Sequence, residues 1–367
     1  MWQPITWNSR WKIWLYQIYS IFMIIFYFSF SVSLFVYLLR VSDDMNIFTE
    51  YLYYFLYSVA IFIKQLNIIA KRRTVIESKN KLLVSFCRPR DFYEWNILEK
   101  CSKDCRWKIV IFLVAFSITA ATTSMSPLLK RNNLALPLKG WYPYNLDIKS
   151  MFCFTYFYQT IAVLMSAYII ASVDGFALTL MLQICAQLEI CIHRLQSLSK
   201  MSAKKNSNIN LCLQESKVLK DCMKHHTHVY SLGTMLNDLF GLVIFVQFFA
   251  SIISICVITY QLTRLNAQNP TYWMMVASVG SSLTQTFLYC LYGEKLIQKS
   301  TAVTDAIYEM NWTDFSNKTK RDLAVMMMRT TKPIQLSGSS VIVMSIRTFM
   351  NIIKSAYSAY NLLGNTQ

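Results

Sequence analysis

Acidic residues, glycine and proline are all scarce in this 367-residue chain, at 19 Asp plus Glu, 8 Gly and 7 Pro. Charged residues make up only 15% of it, against about 25% in soluble domains. So little charge, with 54% apolar and 15% aromatic residues, excludes an ordinary soluble domain. Few Gly and Pro leave few places where a helix must break. No Gly-rich phosphate loop, nucleophile elbow or HExxH occurs, so the chain is not expected to be an enzyme or to need a cofactor. The ten cysteines lack zinc-ligand spacing: Cys101 and Cys105 stand alone as a pair, and most of the others sit in or beside apolar runs, where a thiol is a small hydrophobe. Few or no disulfides are expected. No cleavable signal peptide is expected either, because the first apolar run is too long and no small-residue cleavage site follows it.

What the chain does have is long apolar runs. An all-α polytopic membrane protein is expected, one seven-helix membrane domain over residues 1–367. The approximate spans are 18–39, 47–69, 109–127, 151–173, 239–262, 272–292 and 334–363. Trp7, Trp11 and Trp14, beside Arg10 and Lys12, suit an interfacial helix or a packed one. Lys64, near the end of the second span, can snorkel. Residues 71–107 read as a polar loop, and Pro333 as the start of the seventh span. The fourth and sixth helical patterns run on past their spans, and a helical pattern from Leu211 leads into the fifth, so 177–235 and 293–333 form a region outside the bilayer.

The formal charge of +17 does not point to nucleic acid, because the basic residues lie between the apolar segments. Of 36 Lys and Arg, 26 fall on the N-terminus and the even-numbered loops and six on the other side. This places the N-terminus in the cytoplasm and the C-terminus outside. The sequons at Asn311 and Asn317 are then cytoplasmic and unmodified. His225, His226 and His228 match no ligand pattern, and a solvated or packed helix face is favoured over a metal site. Asn269-Pro270-Thr271-Tyr272 opens a helix.

Two groups of residues are candidates for function. In the last segment Arg347, Asn351, Lys354, Ser358, Asn361 and Asn365 recur every three or four positions, a polar stripe at membrane depth that needs water or protein to face. The spans also carry aromatic and small polar residues that together form an apolar pocket with a few polar anchors. These are Tyr54, Tyr57 and Ser58 in the second span; Phe116, Thr119, Ala120 and Thr123 in the third; Phe154, Tyr158, Ile161 and Met165 in the fourth; and Met274, Ala277 and Ser278 in the sixth. The alternative at each position is ordinary bundle packing.

The most specific pattern starts at Tyr308. It runs through Asn311-Trp312, Lys332-Pro333, Ser337-Gly338 and Thr348-Phe349 to AYSAYNLL at Ala356 to Leu363. Trp141-Tyr142-Pro143 with Asp147, then Tyr158-Gln159 and Asp174, form a second pattern, and His228 with Gln247-Phe248 a third. In order and spacing these resemble the insect odorant receptor family across nearly the whole chain. The TYxxxxxQF ending of gustatory receptors is missing, as is the long fourth-to-fifth loop insertion of the family's shared co-receptor. The resemblance therefore implies an odorant-tuned subunit. It implies a ligand-gated, non-selective cation channel, four subunits around one pore in a heterotetramer with the odorant receptor co-receptor, in the plasma membrane of olfactory sensory neuron dendrites. The implied partners are a volatile small molecule, membrane lipid and permeating cations. The volatile would bind in the outer half of the bundle, and the seventh helix would line the pore. Cytoplasmic extensions of helices four to seven would form an anchor. Leu362 aligns with the gate and Thr366 lies one turn outward, with Ser358 and Lys354 on the pore stripe. A secondary transporter and a G-protein-coupled receptor are the alternatives; the first wants internal pseudo-symmetry, the second the reverse orientation.

Overall fold

The computed structural model describes residues 10–41, 45–129, 135–203, 209–312, 315–339 and 341–365. Among them, six helices are long and apolar enough to cross a membrane: α1 (Arg10–Arg40), α2 (Met45–Ala70), α4 (Phe92–Met125), α5 (Lys149–Ala203), α6 (Ile209–Arg264) and α7 (Pro270–Tyr308). Each holds one expected span. The described residues also form the short helices α3 (Arg72–Leu82) and α8 (Asn317–Thr330), a 3-10 turn at Ser85–Cys87, the hairpin β1 (Ser337–Gly338) with β2 (Ile342–Val343), and α9 (Ile346–Asn365). Trp7 lies outside the described residues.

The outward faces show why a bilayer is the solvent. Trp11, Trp14, Ile18, Phe22 and Ile25 form a fully apolar exposed ridge along α1, where a soluble protein would place charge. The 55 residues of α5 and 56 of α6 reach about 80 Å each at 1.5 Å per residue, far beyond a hydrocarbon core of about 30 Å. These helices therefore continue past the bilayer, as their sequence patterns suggest. The stretch 71–107 is not simply a loop: it folds into α3 and the first half of α4. The α4 start follows Asp91, which holds extended backbone at the N-cap position.

α5 packs against α4, α6 and α7 and carries a buried carboxylate, Asp174. Lys64 Nζ of α2 lies 2.9 and 3.0 Å from its two oxygens, Tyr289 of α7 donates at 2.9 Å, and Gln285 of α7 also donates to it. Lys64 therefore does not snorkel. It is 2% exposed, because a carboxylate with two further donors satisfies it inside the bundle more cheaply than a stretched path to the surface. Gln285 also accepts from Gln247 of α6, which donates to Ser251 as well.

Beyond the membrane-spanning part, a second hub joins α4 to α5. Arg194 Nε and Nη2 donate to the two oxygens of Glu94 at 2.7 and 2.8 Å, and Arg194 also caps the carbonyls of Phe86 and Arg88. Burial pushes the Glu94 carboxyl up, but the Arg194 bonds and the Arg90 amide outweigh it and hold it below its usual range. His193, His225 and His228 pack here, and His226 lies near Arg329 of α8. His225 lies between Gln187 Oε1 at 2.8 Å and Arg194 Nη1 at 3.4 Å, so its Nε2–H donates to Gln187 while Nδ1 faces the guanidinium. Burial first, and Arg194 second, hold His225 down at about 3; burial and Arg329 hold His226 down at about 4. Both are neutral when folded and charge on unfolding, so stability is full above pH about 6.5 and falls as pH drops toward the folded values. We expect a loss of about 1 kcal/mol per histidine between pH 7.0 and 5.5. Thermal unfolding of the purified chain at the two pH values checks this, and His225→Gln should remove about half of the difference.

The C-terminal segment departs from the single span 334–363. Pro333 opens an extended stretch, not a helix, and α9 begins only at Ile346. Tertiary anchoring overrides the apolar pattern: Ile334 N donates to Ser300 Oγ, Ser337 N to Asn237 Oδ1, and Ser339 N to the Gly241 carbonyl. The hairpin sits so close to α6 and α7 that a Cβ on Gly293 would lie 2.4 Å from the Met344 carbonyl, and one on Gly338 3.1 Å from Phe245 backbone. Ser345 Oγ then accepts from Thr348 N at 3.2 Å and caps α9. Ile352 and Ala356 bury against α6 at Ile255, while Arg347, Asn351, Lys354, Ser358 and Asn361 are exposed. The polar stripe thus faces away from its own bundle. Twenty residues give α9 a reach of about 30 Å, enough to span, although its composition sets it apart from the six apolar helices.

Candidate ligand-binding cavity

A cavity lies inside the bundle, between α1, α2, α4, α5 and α7. It is lined by Tyr27, Phe30 and Leu34; Tyr53, Tyr54, Tyr57 and Ser58; Phe116, Thr119, Ala120 and Thr123; Leu138; Val163, Ser166 and Ala167; and Ser278. Its volume is about 60 Å³. This is a narrow slot walled by aromatic rings.

Its polar groups are largely spoken for. Thr123 donates to Thr119 O at 2.8 Å, Ser58 to Phe55 O at 2.8 Å, and Ser166 Oγ lies 2.7 Å from Ala162 O. Thr119 Oγ1 lies 3.1 and 3.2 Å from the Ala115 and Ala277 carbonyls. Tyr54 donates to Met274 Sδ at 3.7 Å. A molecule entering the slot meets ring faces and methyls, with hydroxyl oxygens able to accept, so shape and dispersion dominate its recognition.

Tyr54, Tyr57, Ser58, Phe116, Thr119, Ala120, Thr123 and Ser278 come together in this lining. Met274 and Ala277 stand just behind it, through Tyr54 and Thr119. The fourth-span set does not meet there. Phe154 and Ile161 point outward at 64% and 50% exposure, and Phe154 and Tyr158 line a separate outer groove; Met165 lines neither. The physical reason is that Phe154, Phe157, Ile161, Leu164 and Tyr168 form the lipid-facing stripe of α5, and a lipid face is as apolar as a pocket. The inward face is marked instead by Thr155, Gln159, Ser166 and Asp174, all buried. Polar residues at helical spacing were the signal that finds Val163, Ser166 and Ala167. Tyr27, Phe30 and Leu34 of α1 and Leu138 of the loop carry no such mark.

The cavity stands on the ion cluster. Lys64, Asp174 and Gln285 each follow a lining residue (Tyr57, Ala167, Ser278) by seven positions, two turns or about 10 Å along the same helix face. Of the pore positions, Lys354 and Ser358 are on the exposed face of α9; the side chain of Leu362, and Thr366 altogether, lie outside the described residues. Asp91, Glu94 and His193 are close enough to hold a metal ion, but both Glu94 oxygens are taken by Arg194, whose charge opposes a cation.

This fold is shared with known proteins. A solved structure of the insect olfactory receptor OR5 from Machilis hrabei, in complex with eugenol, matches all of this chain and 94% of its own with a TM-score of 0.84 at 15% identity. Odorant receptor 9a of Drosophila melanogaster is 31% identical over 231 residues, 63% of this chain and 56% of that protein. The odorant receptor coreceptor of the same species is 26% identical over 145 residues, 40% of this chain and 30% of that protein. Matched in this way, the chain spans about half the length of the first of these relatives. The model of the 7tm odorant receptor family matches residues 44–357, from the start of α2 to the last turns of α9, and the chain therefore belongs to the odorant receptor family.

Proposed function

We propose that this odorant receptor is a tuned subunit of a ligand-gated, non-selective cation channel, with the inner cavity as its volatile-binding site. The carrying observation is the stacking of an aromatic slot on the Lys64–Asp174–Gln285 cluster. From there Gln285 bonds to Gln247, whose helix packs against Ile352 of α9 through Phe248 and Ile255. A ligand that fits the slot better in one helix arrangement than another shifts the balance between them, and the shift reaches α9 through two contacts. The orientation with the N-terminus in the cytoplasm follows from the 26 of 36 basic residues on that side.

In the assembly, α9 lines the pore with its polar stripe, and Leu362 forms an apolar constriction that closes by dewetting. Four copies of Lys354 and Arg347 around one axis repel cations, so the chain works in a heterotetramer with the co-receptor, in the plasma membrane of olfactory sensory neuron dendrites. Outside the bilayer, the 177–235 and 293–333 segments, joined by the first half of α4, form the anchor between subunits. Whole-cell recording with a panel of volatiles, eugenol among them, tests this. Volatile-evoked cation current is expected when the chain is expressed with a co-receptor and not when it is expressed alone. A robust current from the chain alone would defeat the assembly argument.

A further inference from the structure

A second cavity lies outside the first; no residue lines both, but Tyr158 of the outer one packs on Phe30 of the inner one. This groove opens between α1, the loop before α5, and α5 itself, among Ser29, Val32, Trp141, Tyr142, Phe154 and Tyr158. Its volume is about 330 Å³, against about 60 Å³ inside. It is lined almost wholly by rings and methyls.

Most of the frame is fixed. Ser33 Oγ donates to the Trp141 carbonyl at 2.9 Å, and Trp141 N donates back to the Ser33 carbonyl at 3.2 Å. Leu138, which lines the inner cavity, is held through both its N–H and its carbonyl by the buried Gln159 side chain. Phe30, also an inner-cavity residue, is 3% exposed. Tyr158 stands between the two spaces, with its ring 4.8 Å from Phe26 and 6.4 Å from both Phe30 and Tyr142. It is only half-buried, and its hydroxyl is tied at 2.6 Å to Ser29, an exposed residue. Of the groups in this wall it is the one that a rotamer change can move without breaking the loop.

We propose that the groove is an outer binding site for small apolar or aromatic volatiles, and that Tyr158 is the door through which they pass to the inner cavity. This rests on the inner cavity being the volatile site. The roomy groove collects the molecule at the membrane's edge, and the tight slot selects it. Edge-on ring contacts with Phe26 and Tyr142 hold the Tyr158 ring in the closed position.

The test uses benzophenone as a photoreactive aromatic probe on the purified full-length chain, with variable delay between mixing and flash and with labelled peptides identified by mass. Groove peptides should label first and inner-cavity peptides later. Tyr158→Phe removes the short hydrogen bond to Ser29 and the long one, at 3.4 Å, to the Phe26 carbonyl, and is expected to speed inner labelling at least about five-fold with the same plateau. Val32→Trp fills the groove and should abolish groove labelling and slow inner labelling. Inner labelling at an unchanged rate in both variants overturns the door, and so does a Tyr158→Phe effect on the plateau alone. Labelling confined to the groove also overturns it, and makes the groove a lipid-side site. If neither space labels, both the outer site and the inner reading fail; inner labelling that bypasses the groove leaves the inner reading standing.

Discussion

Asp174→Ala is expected to cost about 3–5 kcal/mol of stability, the usual result of removing one partner from a buried ion pair. Against a total of about 5–15 kcal/mol, that is enough to remove most folded receptor from the cell surface. The size follows from what is left behind. Lys64 is 2% exposed and sits two turns inside the bundle from the cavity, so its ammonium has no path to water. Tyr289 and Gln285 lose their acceptor at the same time. Removing both charges together is a different experiment. Lys64→Met with Asp174→Leu leaves no uncompensated ion, and stability should recover to within about 1–3 kcal/mol, the cost of the two orphaned donors. Surface expression and thermal unfolding measure this difference, and an Asp174→Ala variant that melts like the parent would show that the pair contributes nothing. The double variant also separates folding from coupling. Restored surface expression with lost volatile response would place the cluster in the path from cavity to α9; a full response would leave it a structural pin.

The same cluster shows how far the sequence alone reaches. Six apolar helices and the overrun of α5, α6 and α7 were legible because apolar runs and helical periodicity follow directly from the bilayer's length and dryness. Lys64 was not, because its partner lies 110 positions away and a lysine near a span's end has a cheaper local explanation. The hairpin before α9 was hidden for a similar reason. The segment after Pro333 is apolar enough for a helix, and contacts with Asn237, Gly241 and Ser300, with the pairing of β1 and β2, hold it in the hairpin instead. For the cavity, α2 and α4 were readable: their small and hydroxyl-bearing residues stand out among bulky ones, and eight of the expected positions gather in one lining. In α5 the aromatic residues drew the eye to the lipid face, while the buried polar row Thr155, Gln159, Ser166 and Asp174 marked the true interior. Inside a membrane, polarity is the more reliable pointer, since both faces of a helix are apolar but only one can hold a hydrogen-bonding group.

Ala120→Phe should reduce sensitivity to every activating volatile by more than about ten-fold, whereas Thr123→Val should change it by less than about three-fold. The two residues line the same cavity, three positions apart on α4, so the contrast tests how the cavity recognises its ligand. Ala120 is 3% exposed and presents only a methyl. A ring in its place occupies the slot itself, and a ligand must then displace it or lose most of its contacts. A ten-fold loss corresponds to about 1.4 kcal/mol, less than the burial of one aromatic ring supplies. Thr123 is polar by composition, but its hydroxyl proton is directed at the Thr119 carbonyl, and valine keeps its shape. If recognition depended on a donated hydrogen bond from this hydroxyl, Thr123→Val would cost as much as filling the slot, and selectivity would shift toward volatiles without an acceptor. The prediction is a loss that depends on ligand size for Ala120→Phe and near-indifference for Thr123→Val, read as dose–response curves from cells that also express the co-receptor. Surface labelling confirms that Ala120→Phe reaches the membrane, since overpacking alone costs about 1–3 kcal/mol. An Ala120→Phe receptor that is present at the surface and responds unchanged would move the ligand out of the inner cavity, leaving the Tyr142–Tyr158 groove as the place to look for it.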